Sequence, residues 1–292
     1  MKTLTANILA EIEGVPPSKT QKSNFLYSFS FLSKDKKSAI NSIYVFFDYI
    51  DNIVDSSPND SEDAINIKME RLDFWENKIA DVFNKNNNYK IIGLSEAIGN
   101  FEIPKQYFMT LIGGCRGDLT KNRYETFEEL KQYCYQVASI VGLTCIEIFG
   151  YKHEETKNYA INLGYALQLT NILRDVRVDM ERGYIYLPRE DMKRFGYSEE
   201  DLKNQVYNEN FIQLMSFELQ RARDYYHKAR SFLSSTDRPE MIAAAIMDEI
   251  YFRLLEKIEL NDYNIWDKKI RVSSSHKLMI ALKQWLAIKL FV

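Results

Sequence analysis

The 292-residue sequence predicts an all-α protein, and three observations support this fold class. It contains only 11 glycines and 6 prolines, and no proline lies between Pro104 and Pro188. β-Sandwiches and β-barrels need turn residues every ~8–12 residues, which this chain lacks. Apolar residues instead recur at steps of three and four, the spacing of one helix face. We expect a single all-α domain over residues 1–292, with residues 1–15 loosely ordered.

Six long helices are predicted from this periodicity. In the first of them, Ile40, Ile43 and Phe47 recur at three- and four-residue steps. Breaks are expected where polar residues, glycine and proline cluster, and Asp237 shortly before Pro239 is a helix-start signal. The predicted helices are residues 38–54, 128–148, 156–180, 211–233, 239–260 and 275–290, and the predicted breaks are residues 56–60, 84–89, 183–188 and 234–239.

Composition argues against several classes of protein. Lys plus Arg is 38 and Asp plus Glu is 41, and no long basic block is present, so a dedicated nucleic-acid binder is not expected. Cys115, Cys134 and Cys145 lack CxxC spacing, which argues against a disulfide framework or a zinc site and favours a reducing compartment. No apolar run approaches the ~18 residues that span a bilayer, and no signal peptide is visible. We expect a cytoplasmic protein.

One polar stripe is expected on the helix at residues 156–180. Its members are separated by three, four and four residues, so at ~3.6 residues per turn they share one helix face. Apolar residues cover much of the remaining circumference, which predicts a mostly buried helix. Buried carboxylates are costly unless a cation or hydrogen-bond donors satisfy them, and a divalent metal ion would do so. The stripe consists of Gln168, Asn171, Asp175 and Asp179.

A second polar stripe is expected on the helix at residues 38–54 and just beyond it. Its members are separated by four, three and four residues and lie among aliphatic and aromatic residues. Oxygen ligands without His or Cys favour a hard ion, above all Mg²⁺, which completes its shell with water and substrate phosphate. Two such helices facing each other would form a site for ionising a diphosphate. This stripe consists of Tyr44, Asp48, Asp51 and Asp55.

A solvated helix face can show the same D-x-x-x-D spacing, so either stripe alone is ambiguous. Because there are two such stripes, each inside an otherwise apolar helix, a metal site is favoured over a solvent-exposed helix face. The three histidines are scattered and form no ligand pattern, and Cys134 is interpreted as a packing residue. A helical scaffold that binds a protein partner and has no lipid site is an alternative to a metal-dependent enzyme. Exposure of the acidic side chains to solvent would favour it.

Several strings of this sequence resemble squalene and phytoene synthases. The most specific is ALQLTNILRDV at residues 166–176, followed by Asp179 and by IYLPRED at residues 185–191. DNIVD at residues 51–55 resembles the first aspartate-rich motif of that family, and YCYQVA at residues 133–138 resembles its central helix. SNFLYSFSFL at residues 23–32 resembles its N-terminal substrate-binding segment. Within the family, the strings look closest to bacterial presqualene diphosphate synthases.

This resemblance implies an isoprenoid-synthase-type helical bundle around a central cavity, and it implies roles for individual residues. Asp51, Asp55, Asp175 and Asp179 would hold Mg²⁺, with Asn171 and Gln168 in support. Tyr44 is implied to be catalytic together with the four aspartates. The residues implied to bind substrate are Ser23, Phe25, Tyr27, Asp48, Tyr133, Val137, Gly142, Gln168, Asn171, Tyr186, Tyr251, Lys268, Lys269 and Arg271.

The implied reaction is the Mg²⁺-dependent head-to-head (1′–1) condensation of two farnesyl diphosphates to presqualene diphosphate. It could continue to squalene in squalene or hopanoid biosynthesis, and only that reductive step would need NADPH. The alternative is phytoene or dehydrosqualene synthesis, as in carotenoid biosynthesis. Asp48 stands where the family usually has Arg, Asn52 replaces an acid, and Tyr184-Ile185 replaces an Arg. The further alternative is therefore a catalytically weak subunit that binds prenyl lipids or a partner isoprenoid enzyme.

The helix at residues 275–290 has two interpretations. Leu278, Leu282 and Trp285 form an apolar stripe, with lysines elsewhere on the helix. Packing against the core with snorkelling lysines is the favoured interpretation. The alternative is a membrane-surface helix, which would place the protein at the inner membrane surface.

Overall fold

The computed structural model describes residues 27–55, 61–84, 91 and 93–291, and it confirms the all-α prediction in this part of the chain. One short parallel bridge, between Arg123 and Ile185, is the β-type pairing recorded among the described residues. The elements in chain order are α1 Lys34–Asp55, α2 Glu62–Phe83, α3 Leu94–Asn100, α4 Lys105–Asp118, α5 Phe127–Cys134, a π-helical segment Tyr135–Ser139, α6 Ile140–Phe149, α7 Glu155–Glu181, α8 Arg189–Arg194, α9 Glu199–Lys203, α10 Glu209–Phe232, α11 Ile242–Leu260 and α12 Ser274–Phe291.

Short polar side chains begin several of these helices. The Ser61 hydroxyl accepts a hydrogen bond from the backbone N–H of Ala64 at the start of α2, and Asn208 accepts one from Phe211 in α10. Each bond satisfies one of the N–H groups that a helix leaves unpaired at its first turn. The buried carboxylate of Asp237 accepts hydrogen bonds from the N–H groups of Lys152 and His153, directly before α7. The sequence-predicted helix start near Asp237 is different in the structure, where α11 begins at Ile242.

The predicted helix at residues 128–148 consists of two α-helices, α5 and α6, joined without a gap by a π-helical segment. Residues Tyr135–Ser139 widen into a π-helical turn between α5 and α6. Such turns insert one extra residue and are frequent at functional sites. The turn lies against α7 at a contact that admits only glycine, because a Cβ on Gly164 would lie 2.5 Å from the Ser139 Cα. Likewise, a Cβ on Gly142 would lie 2.9 Å from the Ala160 carbonyl oxygen of α7.

Helix α7 is the centre of the bundle, packed by α10, α11, α6 and the π-helical segment. Its buried residues lie all around its circumference, as the apolar surroundings of its polar stripe predict. A hydrogen bond between two hydroxyls connects α7 to α10, because the Thr170 hydroxyl lies 2.9 Å from the Tyr226 phenol oxygen. The Thr170 hydroxyl also hydrogen-bonds to the Ala166 carbonyl oxygen of α7. The polar stripe of α7 is therefore held on a rigid, buried element.

The C-terminal helix α12 differs from the favoured prediction. Ile280 and Ala281 pack against Ile242, Ile246 and Ile250 of α11. Of the predicted apolar stripe, Trp285 packs against this cluster, whereas Leu278 is 59% exposed and Leu282 is 50% exposed. The core interpretation of these two leucines is wrong. In the part of the chain that the structure describes, no helix is long and apolar enough to cross a bilayer.

Candidate active site

A cavity of about 1030 Å³ lies between α1, α4, the π-helical segment, α6, α7 and α11. It receives side chains from both predicted polar stripes, so the sequence-predicted site residues converge on one space. The predicted residues on its wall are Tyr44, Asp48, Asp51, Asp55, Tyr133, Val137, Gly142, Gln168, Asn171, Asp175, Asp179, Tyr186, Tyr251, Lys269 and Arg271.

Four predicted residues are not on this wall or are not described. Tyr27 packs against the cluster formed by α11 and α12 and is not among the residues of the cavity wall. Lys268 is exposed and lies outside the wall, next to Lys269. Ser23 and Phe25 fall outside the described residues, as does the prediction for residues 1–15.

The stripe on α1 is only partly buried. Asp48 is buried, whereas Asp51 and Asp55 are exposed. Their exposure is to the cavity, because both residues line it. Enclosure by the surrounding protein, followed by the neighbouring carboxylates of Asp55 and Asp48, raises the pKa of Asp51 to about 7. Asp48, Asp51 and Asp55 therefore bring three carboxylates close together on this wall.

The two carboxylates of the α7 stripe differ in their surroundings. Asp175 is paired with two cations, whereas the pKa of Asp179 is raised. Burial alone would raise the pKa of Asp175, but ion pairs with Arg174 and Lys269 outweigh it and lower that pKa. The Lys269 ammonium lies 3.1 Å from Asp175, and the Arg174 Nε donates to Asp175 at 2.9 Å. Burial and the charge of Asp175 raise the pKa of Asp179 to about 7. A cation placed beside Asp179 would relieve this repulsion.

A cluster of cations lies on the cavity wall close to Asp175. Arg174, Lys269, Arg271 and Lys277 all line the wall. Burial, followed by the charges of Arg174 and Arg271, lowers the pKa of Lys277. Neighbouring cations lower the pKa of a lysine only when they lie close to it. This cluster is suited to binding a multiply charged anion.

Arg182 joins the two stripes. Its guanidinium Nη2 lies 2.7 Å from the Asp55 carboxylate and also donates to the Asp55 carbonyl oxygen at 3.2 Å. Arg182 follows directly after the end of α7, whereas Asp55 is the last residue of α1. This contact fixes the ends of the two acidic helices beside each other at the cavity wall.

Asp118, the last residue of α4, is a further carboxylate on the cavity wall. The Tyr133 phenol donates a hydrogen bond to one of its oxygens at 3.0 Å, and the other oxygen is buried without a hydrogen-bond partner among the described residues. Burial raises the pKa of Asp118 to about 8, and the charges of Asp51 and Asp55 add to that effect. Tyr133 stacks on Tyr186 with ring centroids 5.3 Å apart.

Sequence reasoning missed Asp118, Arg174, Arg182 and Cys115, all of which line the cavity. Arg174 and Arg182 stand within or directly after the α7 stripe, so helix spacing could have indicated them. Asp118 and Cys115 belong to α4, which was not predicted as a helix, and their proximity to Tyr133 and Asp51 depends on tertiary packing.

The donors present fit a hard divalent cation. They are carboxylate and amide oxygens, and the Asn171 side-chain oxygen is buried without a hydrogen-bond partner among the described residues. No group of three or more His, Cys, Asp or Glu residues in the described ranges lies close enough to hold a metal alone. Carboxylate and amide oxygens are ligands that suit Mg²⁺, which takes one or two carboxylates and completes its shell with water and substrate phosphate.

Comparison with known proteins matches this chain to one family. The sequence model of the family described as squalene/phytoene synthase matches residues 18–276. The 15-cis-phytoene synthase of Synechocystis sp. is 36% identical over 266 residues, covering 86% of this chain and 77% of that protein. A crystal structure of a dehydrosqualene synthase in complex with ligand superposes with a TM-score of 0.77 at 26% identity, covering 98% of this chain and 96% of that chain. Squalene synthase HpnC from Alicyclobacillus acidocaldarius shares the fold, with a TM-score of 0.75 at 23% identity over 88% of this chain and 94% of that chain.

Proposed function

This chain belongs to the squalene/phytoene synthase family and is a prenyltransferase of that family, and we propose that it forms phytoene from two geranylgeranyl diphosphates. The sequence relatives favour this alternative over presqualene diphosphate. The observation that carries the proposal is the arrangement of the wall. Two acidic stripes and a cation cluster share one end of a cavity that also has an extended apolar lining.

Asp51, Asp55, Asp175 and Asp179 would hold Mg²⁺ in this proposal, with Asn171 and Gln168 in support. The metal would neutralise the departing diphosphate, which is the chemistry that Lewis-acid catalysis supplies. Arg174, Lys269 and Arg271 would bind the diphosphate oxygens directly. These cations lie at the wall of the cavity and two of them already contact Asp175, so they would also orient that carboxylate.

The apolar wall would enclose the prenyl chains and exclude water. It includes Phe29, Phe47, Val137, Val141 and Phe149. An allylic cation formed there would be protected from hydrolysis. The faces of Tyr44 and Tyr133 would stabilise its charge, because aromatic rings attract cations. The remaining task is to hold the C1 atom of one chain against the double bond of the other, which is a matter of positioning.

A second candidate is coupling of two farnesyl diphosphates to dehydrosqualene or presqualene diphosphate. The superposition on a dehydrosqualene synthase over 98% of this chain favours it. A third candidate is a catalytically weak subunit that binds prenyl lipids, and the buried Asp48 on the wall motivates it because a carboxylate repels diphosphate.

The test incubates purified protein with Mg²⁺ and either geranylgeranyl or farnesyl diphosphate, with and without NADPH, and identifies products by mass spectrometry. Phytoene from the C20 substrate supports the main proposal. Dehydrosqualene, presqualene diphosphate or squalene from the C15 substrate alone would replace it with the second candidate. Tight binding of both substrates without turnover would favour the third, and restored turnover in Asp48→Arg would then identify Asp48 as the cause.

A further inference from the structure

An exposed apolar face runs along α12. It consists of Leu278, Met279, Leu282 and Leu286, which are 59%, 58%, 50% and 43% exposed. At 100° per residue these four side chains fall within about one third of the helix circumference. We call this set the C-terminal apolar face. Four large apolar side chains on one helix face indicate a surface that is covered by something in the working protein.

A further aromatic residue lies beside this face. Phe31, from the short segment before α1, is 37% exposed and stacks on Trp285 of α12 with ring centroids 6.1 Å apart. The opposite side of α12 is fixed, because Ile280 and Ala281 pack on the isoleucines of α11. The helix is thus anchored to the bundle by one side and presents the other outward.

The last 25 residues of the sequence, which include α12, carry charge of one sign. Residues 268–292 contain six Lys and Arg residues and no Asp or Glu, although the whole chain has a net charge of −3. Of these, Lys268 and Lys283 are exposed and lie outside the cavity wall, whereas the exposed Lys269 and Arg271 belong to that wall. Two copies of this surface facing each other would repel, whereas an anionic surface would be attracted.

We propose that the C-terminal apolar face and its exposed lysines dock on an anionic lipid bilayer. An apolar helix face rimmed by basic residues lies in the interface plane of a bilayer, with its apolar side chains in the acyl boundary. Lys277, in the first turn of the same helix, also lines the cavity, so α12 connects the docked face with the cavity wall. Under the proposed function, which this last step requires, an apolar product would leave the cavity one helix away from the membrane.

Vesicle co-sedimentation of the full chain tests the docking without any need for activity. Wild type should sediment with phosphatidylcholine vesicles that contain phosphatidylglycerol, and less with phosphatidylcholine alone or at high salt. The double variant Leu282→Gln, Leu286→Gln should lose about tenfold or more in partitioning, because two apolar side chains leave the acyl region. Lys283→Glu should weaken sedimentation with anionic vesicles. The control Ile67→Gln removes a residue that is 56% exposed on α2 and should change nothing.

Urea unfolding and light scattering of the wild type and the double variant measure whether the face is covered by the chain itself or by a second copy. The double variant should unfold at the same urea concentration as wild type, because its changed residues are exposed. A lowered midpoint would mean that the chain itself covers the face and would overturn the proposal. A wild-type dimer that the double variant converts to monomers would replace the bilayer with a second copy. Absence of wild-type sedimentation with anionic vesicles, or equal sedimentation of the double variant, would also overturn it.

Discussion

The Arg182 guanidinium lies 2.7 Å from the Asp55 carboxylate and connects the end of α7 to the end of α1. Lys269 plays a similar part at Asp175, at 3.1 Å. These cations balance part of the negative charge that the two stripes bring together. A bound diphosphate could accept hydrogen bonds from the same cations once metal ions take over the carboxylates. The two ion pairs would therefore keep the carboxylates and the cations in position to bind metal ions and diphosphate.

Replacing Arg182 tests this idea. Arg182→Gln should raise the KM for prenyl diphosphate by about tenfold, in line with the loss of one charge-assisted hydrogen bond. The free energy of unfolding should change by less than about 1 kcal/mol, because the pair is partly exposed to solvent. Steady-state kinetics and urea unfolding measure the two effects. Arg182→Lys keeps the charge and should recover most of the KM; an unchanged KM in Arg182→Gln would contradict the assignment.

Asp118 and Tyr133 should behave as one unit in catalysis. Asp118→Leu is similar in size but removes the hydrogen-bond acceptor, and Tyr133→Phe removes the donor, so each should lower kcat by about tenfold or more. Because both changes break the same hydrogen bond, the double variant should be little worse than the worse single variant. Turnover of the four proteins under saturating substrate measures the coupling. Fully additive losses would show that the two residues act separately.

Glu218 gives a prediction for stability against pH. Burial, followed by the charge of Asp191, raises the pKa of Glu218 to about 8, although Arg221 opposes this at 2.7 Å. The native state then binds more protons than the unfolded state between about pH 4.3 and pH 8, so this residue lowers stability as pH rises through that range. Glu218→Gln should be increasingly more stable than wild type from pH 5 to pH 8, with Arg221 still paired to Asp191 at 2.8 Å.

Urea unfolding of wild type and Glu218→Gln at several pH values measures this difference. The difference should be small at pH 5 and reach its plateau above pH 8. A difference that is constant across this range, or that favours wild type at pH 8, would contradict a raised pKa at Glu218. The buried Glu218 oxygen that has no hydrogen-bond partner among the described residues would then need another explanation.

The contact between α7 and the π-helical segment should tolerate no side chain. A Cβ on Gly164 would lie 2.5 Å from the Ser139 Cα and 2.7 Å from the Ser139 nitrogen, and backbone atoms cannot move aside as a side chain can. Gly164→Ala should therefore destabilise the protein by about 1–3 kcal/mol. Gly113→Ala is the matched control, because nothing lies within 4 Å of its Cβ on α4, and it should be neutral or stabilising by up to about 1 kcal/mol. Equal unfolding midpoints for the two variants would disprove the close contact.

The long helices could be predicted from sequence because their apolar spacing is sustained over many turns. The α7 stripe is the clearest case, since Asn171, Asp175 and Asp179 do lie on one wall of the cavity. The π-helical turn at Tyr135–Ser139 could not be predicted, because one widened turn hardly changes the apolar spacing. Helix α2 was missed although Leu72, Trp75 and Ile79 are buried at three- and four-residue steps.

Tertiary relationships were the part that sequence could not supply. Asp118 and Tyr133 are 15 residues apart on different helices, and nothing in the local pattern joins them. The direction of an apolar stripe was also ambiguous, because helical spacing is the same for a face that meets the core and a face that meets solvent. Leu278 and Leu282 on α12 show this, since they point outward while Ile280 and Ala281 pack inward.

The central claim is that the acidic residues of α1 and α7 act together on a prenyl diphosphate. Its most direct test is Mg²⁺-dependent release of pyrophosphate from geranylgeranyl diphosphate, measured for wild type, Asp55→Asn, Asp175→Asn and the exposed control Asp224→Asn. We expect release by wild type and Asp224→Asn, none without metal, and a loss of at least about 100-fold in each site variant. Release that persists in Asp55→Asn and Asp175→Asn, or that needs no divalent metal, would contradict the account.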